Sequence, residues 1–123
     1  MRELNRAFNR RGERWVEFYD SDAEVHIPPG LPGSKVYTGH RRIEEAAALW
    51  TESVNDYHWD LQRLIDGGNC VVGLFRFRSR INAHSAWLSP PLGAVFYVRA
   101  GKVMRVLSYF SWAEALEAAG VEQ

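Results

Sequence analysis

An α+β domain, in which a strongly bent antiparallel sheet wraps around N-terminal helices, is the fold class this sequence predicts. Helical spacing of apolar residues prevails up to Val54, and period-two alternation prevails from Asp56 to Phe110. Two turn signals, Asp66-Gly67-Gly68-Asn69 and Ala100-Gly101-Lys102, divide the second half into antiparallel runs. A long antiparallel meander must bury one apolar face, and helices ahead of it supply the cover. A sheet bent around them leaves a cone with an internal pocket.

Leu4, Phe8, Trp15 and Tyr19 fall on one helical stripe, which Gly12 divides into two short helices. Ala23 to Ile27 reads as a short strand, stopped by Pro28-Pro29-Gly30 and a Pro/Gly-rich loop through Gly33 that is a candidate pocket rim. Ile43, Ala46, Ala47, Trp50 and Val54 give a helix over about 41–54. Tyr57, Trp59 and Leu61 then alternate with His58, Asp60 and Gln62. Cys70 to Ile81 places Val71, Gly73, Phe75 and Phe77 on one face and Val72, Leu74, Arg76, Arg78 and Arg80 on the other. Residues 84–99 give a strand interrupted at Ser89-Pro90-Pro91, and Val103 to Phe110 gives the last strand. Ser111-Trp112-Ala113-Glu114 matches a capping box, opening a helix to about Ala119 that Gly120 ends. No linker or repeat divides the chain, so 1–123 is expected to be one domain.

Composition narrows the function classes. The chain has 123 residues, of which 46% are hydrophobic and 13% aromatic, enough to build one core. Lys plus Arg equals Asp plus Glu, fifteen of each, so the basic footprint of a nucleic-acid or membrane-surface binder is missing. Cys70 is the single cysteine and has no internal disulfide partner, which fits a reducing compartment. No apolar run reaches the roughly 18 residues of a spanning helix, and the first residues lack the apolar core of a signal peptide. The expectation is a cytoplasmic protein with no membrane or nucleic-acid partner.

Several motifs, in order and spacing, resemble the SnoaL-like branch of the nuclear transport factor 2-like superfamily. They are Ala7-Phe8-Asn9-Arg10-Arg11-Gly12, then Asp22-Ala23-Glu24-Val25-His26 running into Pro28-Pro29, then Tyr37-Thr38-Gly39-His40. Leu64-Ile65-Asp66-Gly67-Gly68, Arg99-Ala100-Gly101-Lys102-Val103, and Tyr109 ahead of Ala115-Leu116 continue the series over nearly the whole chain. The resemblance implies a cystatin-like α+β cone. The family also resembles polyketide cyclases, ketosteroid isomerases and limonene epoxide hydrolases, a set too diverse for fold to give function.

The carboxylates those enzymes use are missing at the matching positions. The isomerase base falls on Ile27 and the oxyanion-hole acid on Ala94 or its neighbour. The epoxide hydrolase set falls on Arg76-Phe77-Arg78 and Ser108. Residues 84–112 contain no Asp or Glu, whereas the cyclases depend on an inward acid on a late strand.

Alternation supplies the expected lining. Ala94, Phe96 and Val98 share a face, as do Val106, Ser108 and Phe110, with Tyr57, Trp59, Phe75 and Phe77 as walls and Trp15 and Trp50 from the helices. The polar candidates are His26, Tyr37, His84 and Ser108. His26 is a general base or hydrogen-bond donor, or a strand-end histidine facing away from Val25. His84 is a pocket base or a solvated turn histidine, Tyr37 a pocket phenol or a packing residue, and Ser108 a hydrogen-bonding wall. His58 and Asp60 share a strand face, but two ligands do not define a metal site, and charge pairs with the arginine row explain them more simply. No metal or cofactor is expected.

Two function classes follow. One is a pocket protein acting on a small, largely apolar organic molecule by proton transfer or cyclisation through His26 or Tyr37. The other is a non-catalytic ligand-binding or interaction domain that lacks the carboxylates. A homodimer through the outer sheet face is expected, because Val72 and Leu74 share the arginine face and need cover that the helices cannot give.

Overall fold

The computed structural model describes residues 4, 6, 15–28, 36–51 and 56–121, with side chains for all of these except 49–51. Leu4 and Arg6 are helical, and Trp15–Phe18 form a short 3-10 turn. The strands are β1 (Tyr19–His26), β2 (Val36–Thr38), β3 (Asp56–Asp66), β4 (Val71–Arg80), β5 (Pro91–Arg99) and β6 (Lys102–Tyr109). Two helices accompany them, α1 (His40–Thr51) and α2 (Trp112–Ala118). The expected break at Gly12, most of the 28–33 loop, the helix end at 52–54 and the Trp50 side chain lie outside the described residues.

The described strands form one curved six-stranded sheet in the order β2-β1-β6-β5-β4-β3. From β3 to β6 it is the predicted antiparallel meander. At the other end β1 pairs with β6 in parallel, Val25 beside Val106 and His26 beside Leu107. Alternation gives the period of a strand but not its neighbour, and the meander's route brings the last strand back beside the first. β1 starts four residues earlier than predicted, so Tyr19 lies on a strand and not on the helical stripe. β2, absent from the sequence reading, pairs Tyr37 with Val25. β5 begins at Pro91 instead of 84. A proline opens a strand at no cost to the ladder, while the preceding residues form a loop joined to β4 by the Ser79–Leu88 bridge and by the Phe77 N–H on the Pro90 carbonyl.

The sheet buries both faces. On the inner face, Phe75, Leu92, Phe96, Val103 and Val106 pack with Leu4. On the outer face, Cys70, Val72, Leu74 and Val95 pack against Ala115 and Leu116 of α2. Val72 and Val95 are fully buried there and Leu74 is 2% exposed. The premise of the homodimer expectation therefore does not hold: a helix after the sheet, within the same chain, covers the outer apolar residues.

Two irregularities re-aim side chains against simple alternation. Between Leu61 and Arg63 the β3–β4 register shifts. Leu61, beside Phe75, packs on the inner cluster, and Ile65, beside Val72, packs on the outer one. Four residues apart, they would share a face in a regular strand; the extra residue of a bulge reverses the parity. A second shift, between Tyr97 and Val98, puts its extra residue on β6, so that Val103 and Val106, three apart, both pack on the inner cluster. Val98, expected inward, lies one residue before the end of β5 and is 43% exposed. Phe110, also expected inward, lies past the end of β6 and is 42% exposed.

The ends of α1 and α2 are set by local chemistry. Gly39 (φ 86°) turns the chain from β2 into α1, with its N–H on the Ala23 carbonyl. Ser111 caps α2 by accepting from the Glu114 N–H at 3.3 Å, and Gly120 (φ 73°) closes its other end.

Candidate functional site

A cavity of about 130 Å³ lies between the inner face of the sheet and α1. Its floor follows from the register. Gly73, Ala94 and Ser108 form one cross-strand row over β4, β5 and β6. A side chain at Gly73 would meet the Phe75 ring at 2.5 Å and the Phe96 ring at 3.2 Å, so these two rings already lean over that end. Ala94 and Ser108 are too short to fill the space above them. The walls are Trp15, Tyr19, Val25, Trp59, Phe75, Phe96 and Val106, and Ile43, Ala46 and Ala47 of α1 form the roof. Alanine on the helix face toward the sheet leaves room where leucine would close it.

Trp15, Trp59, Phe75, Ala94, Phe96, Val106 and Ser108, all expected at the pocket from the sequence, line this cavity. The aromatic wall is organised edge to face: Trp59 meets Phe75 at 6.0 Å and 86°, and Phe75 meets Phe96 at 6.3 Å and 63°. Besides Val98 and Phe110, five expected residues lie elsewhere. His26 is on the face of β1 opposite Val25, its Nε2 3.0 Å from Glu24 Oε1. Tyr37 is 6% exposed in a separate cluster with Ile27 and Ala46, under the Arg42 guanidinium at 5.1 Å. Tyr57 and Phe77 pack one on the other toward the Arg80 end of β4, with ring centroids 6.3 Å apart. His84 sits on the exposed 81–90 loop, its backbone N–H on Asn82 Oδ1. Neither imidazole is among the lining residues.

Sequence reasoning missed Tyr19, Val25 and the α1 roof. Extending β1 back from Val25 in steps of two through Ala23 would have reached Tyr19. The helical stripe it shares with Trp15 hid that signal.

Tyr19 is held from three sides. It meets Trp15 edge-on at 5.9 Å and 78°, its carbonyl accepts from His40 Nε2 at 2.8 Å, and its backbone pairs with Val103. The side chain is half-buried on the cavity, and desolvation there pushes the phenol well above its ordinary value. A raised acid contributes stability that is complete below its unfolded value, near pH 10, and lost as pH rises toward the folded one. Stability should therefore fall above about pH 10 by up to ~1.4 kcal/mol per pH unit from this group. Urea unfolding at pH 9 to 12, wild type against Tyr19→Phe, measures it; equal slopes for the two would refute it.

Among the described lining residues, Tyr19 and Ser108 supply the side-chain hydroxyls and there is no carboxylate. Cys70 is buried on the outer face, where burial first and the Asp66 charge second push its thiol up, away from nucleophilic use. No three His, Cys, Asp or Glu gather among the described residues in a way that could hold a metal ion. Among the same residues, no helix is long and apolar enough to cross a membrane.

Comparison with known proteins places this geometry. The family model described as SnoaL-like domain matches residues 1–106. Bal32a, from a soil-derived mobile gene cassette, superposes with a TM-score of 0.75 at 18% identity, over 88% of this chain and 83% of that one. An NTF2-like protein of unknown function from Burkholderia pseudomallei gives 0.74 at 20% identity, over 94% and 91%. A protein with a ketosteroid isomerase-like fold from Catenulispora acidiphila, in complex with trimethylamine, gives 0.70 at 15%, over 98% and 94%. At these identities the likeness concerns the fold. No curated protein matches the chain.

Proposed function

The chain belongs to the SnoaL-like domain family, and on that premise we propose that its cavity binds a small, largely apolar organic molecule without carboxylate-driven chemistry. One observation supports this above the rest: apolar walls around about 130 Å³ with a floor of Ala94 and Ser108 and no carboxylate or imidazole among the described lining residues. A dry apolar cavity of about 150 Å³ takes up benzene, so the space suits a single ring. Steroids and fused polyketide rings are too large for it as it stands.

The size argument gives a direct test. At a hundred times its dissociation constant, a ligand adds about 2.7 kcal/mol to stability, a shift of several degrees in melting temperature. Toluene should produce such a shift in the wild type. Ala94→Leu, which fills the floor, should remove the toluene shift while leaving a cooperative melt. Wild type that ignores toluene, or Ala94→Leu that keeps the full shift, would count against the cavity as the binding site.

Turnover separates this reading from proton transfer or cyclisation by His26 or Tyr37. A positioned general base contributes on the order of 10² to 10⁴ in rate, and Ile27 cannot serve as one. Ketosteroid isomerisation and limonene epoxide hydrolysis should both stay at background. Activity in either assay that disappears in His26→Ala or Tyr37→Phe would restore the catalytic reading.

A further inference from the structure

We propose that Tyr19 is the polar anchor of this cavity and that the occupant is a single-ring molecule carrying one hydrogen-bond acceptor, such as a ketone, ester or lactone oxygen. This rests on the cavity being a ligand site and adds what the ligand must present to it.

The two lining hydroxyls differ in how they are held. Tyr19 stands beside Val103 in the ladder and Ser108 lies five residues further along β6, roughly 16 Å between backbones at 3.3 Å per residue. They are separate handles. Ser108 is a short rotor on the open floor, free to turn its hydroxyl through three staggered positions. The Tyr19 ring is fixed by its edge contact with Trp15, and its backbone is tied to the start of α1 by the His40 bond. Its hydroxyl makes no hydrogen bond to another described residue. Burial keeps the phenol protonated far above neutral pH, so it meets a ligand as a donor. A ligand oxygen in the cavity can accept from this hydroxyl, and a hydrocarbon of the same shape cannot. The remaining walls, Trp59, Phe75 and Phe96, suit the apolar ring that carries the oxygen.

Calorimetric titration of the full chain with cyclohexanone and with methylenecyclohexane, which replaces C=O by C=CH₂ on the same ring, tests the anchor. The readout is the ratio of the two affinities, because the ketone is better hydrated before it binds. From wild type to Tyr19→Phe this ratio should fall about fivefold to tenfold, the value of one net hydrogen bond. Retained methylenecyclohexane binding in the variant would show its cavity intact. An unchanged ratio, with both probes still bound, would overturn the anchor and leave the cavity reading standing. A ratio lost in Ser108→Ala but kept in Tyr19→Phe would overturn it in favour of Ser108. If neither probe binds folded wild type, the cavity reading falls and the anchor with it. Infrared spectra of bound cyclohexanone give an independent check that needs no variant: the carbonyl stretch should move below its frequency in hydrocarbon solvent, and an unshifted band would overturn the proposal.

Discussion

Leu116→Asp should leave the protein largely unfolded at room temperature, the largest effect of any single substitution considered. Leu116 is 4% exposed on α2, packed over Leu74 and Val95 on the outer face of the sheet. Removing the leucine side chain alone costs about 2–5 kcal/mol, as Leu116→Ala should show. Placing an unpaired carboxylate there adds several kcal/mol more, against a total stability of about 5–15 kcal/mol for a domain. Glu117, one position further and exposed, should tolerate alanine within about 0.5 kcal/mol. Urea unfolding of the three variants tests whether α2 is what covers the outer face. A Leu116→Asp protein within 1 kcal/mol of wild type, on the scale of ordinary surface changes, would mean that it is not.

Gly93→Val should cost at least the upper end of the roughly 1–3 kcal/mol typical of overpacking, because α2 lies directly on this part of β5. A Cβ at Gly93 would come within 2.5 Å of the Ala115 Cβ and 3.2 Å of the Ser111 carbonyl oxygen. Neither can yield without moving the helix. Trp112 Nε1 donates to the Phe75 carbonyl at 2.9 Å, so lifting α2 would also disturb a bond that ties it to β4. A change in tryptophan fluorescence should therefore accompany the loss of stability. The milder Gly93→Ala, combined with Ala115→Gly, should recover part of the loss despite the roughly 1 kcal/mol cost of glycine within a helix. No coupling between the two positions would show that the contact is not the cause.

Both predictions concern a contact the sequence indicated only in pieces. The capping signal at Ser111 and the stop at Gly120 set the limits of α2 correctly, because caps are local hydrogen-bond chemistry written in adjacent residues. Where that helix lands is not local. Val72 and Leu74 could be read as an outer stripe needing cover, but the choice between a second copy and the chain's own C-terminal helix turns on the glycine at 93 that admits close approach.

The sequence by itself determined the α+β class, the four-strand meander from Asp56 to Tyr109, the capped last helix and an apolar lining drawn from Trp59, Phe75, Ala94, Phe96, Val106 and Ser108. Period-two alternation and turn chemistry are properties of neighbours in the chain, so they survive folding. Only the tertiary structure decided that β1 joins β6 in parallel, that bulges reverse the inward face of β3 beyond Leu61 and of β6 between Val103 and Val106, and that Tyr19 faces the cavity while His26 and Tyr37 do not. These depend on pairing between residues far apart in sequence, where one extra residue in a strand exchanges the two faces.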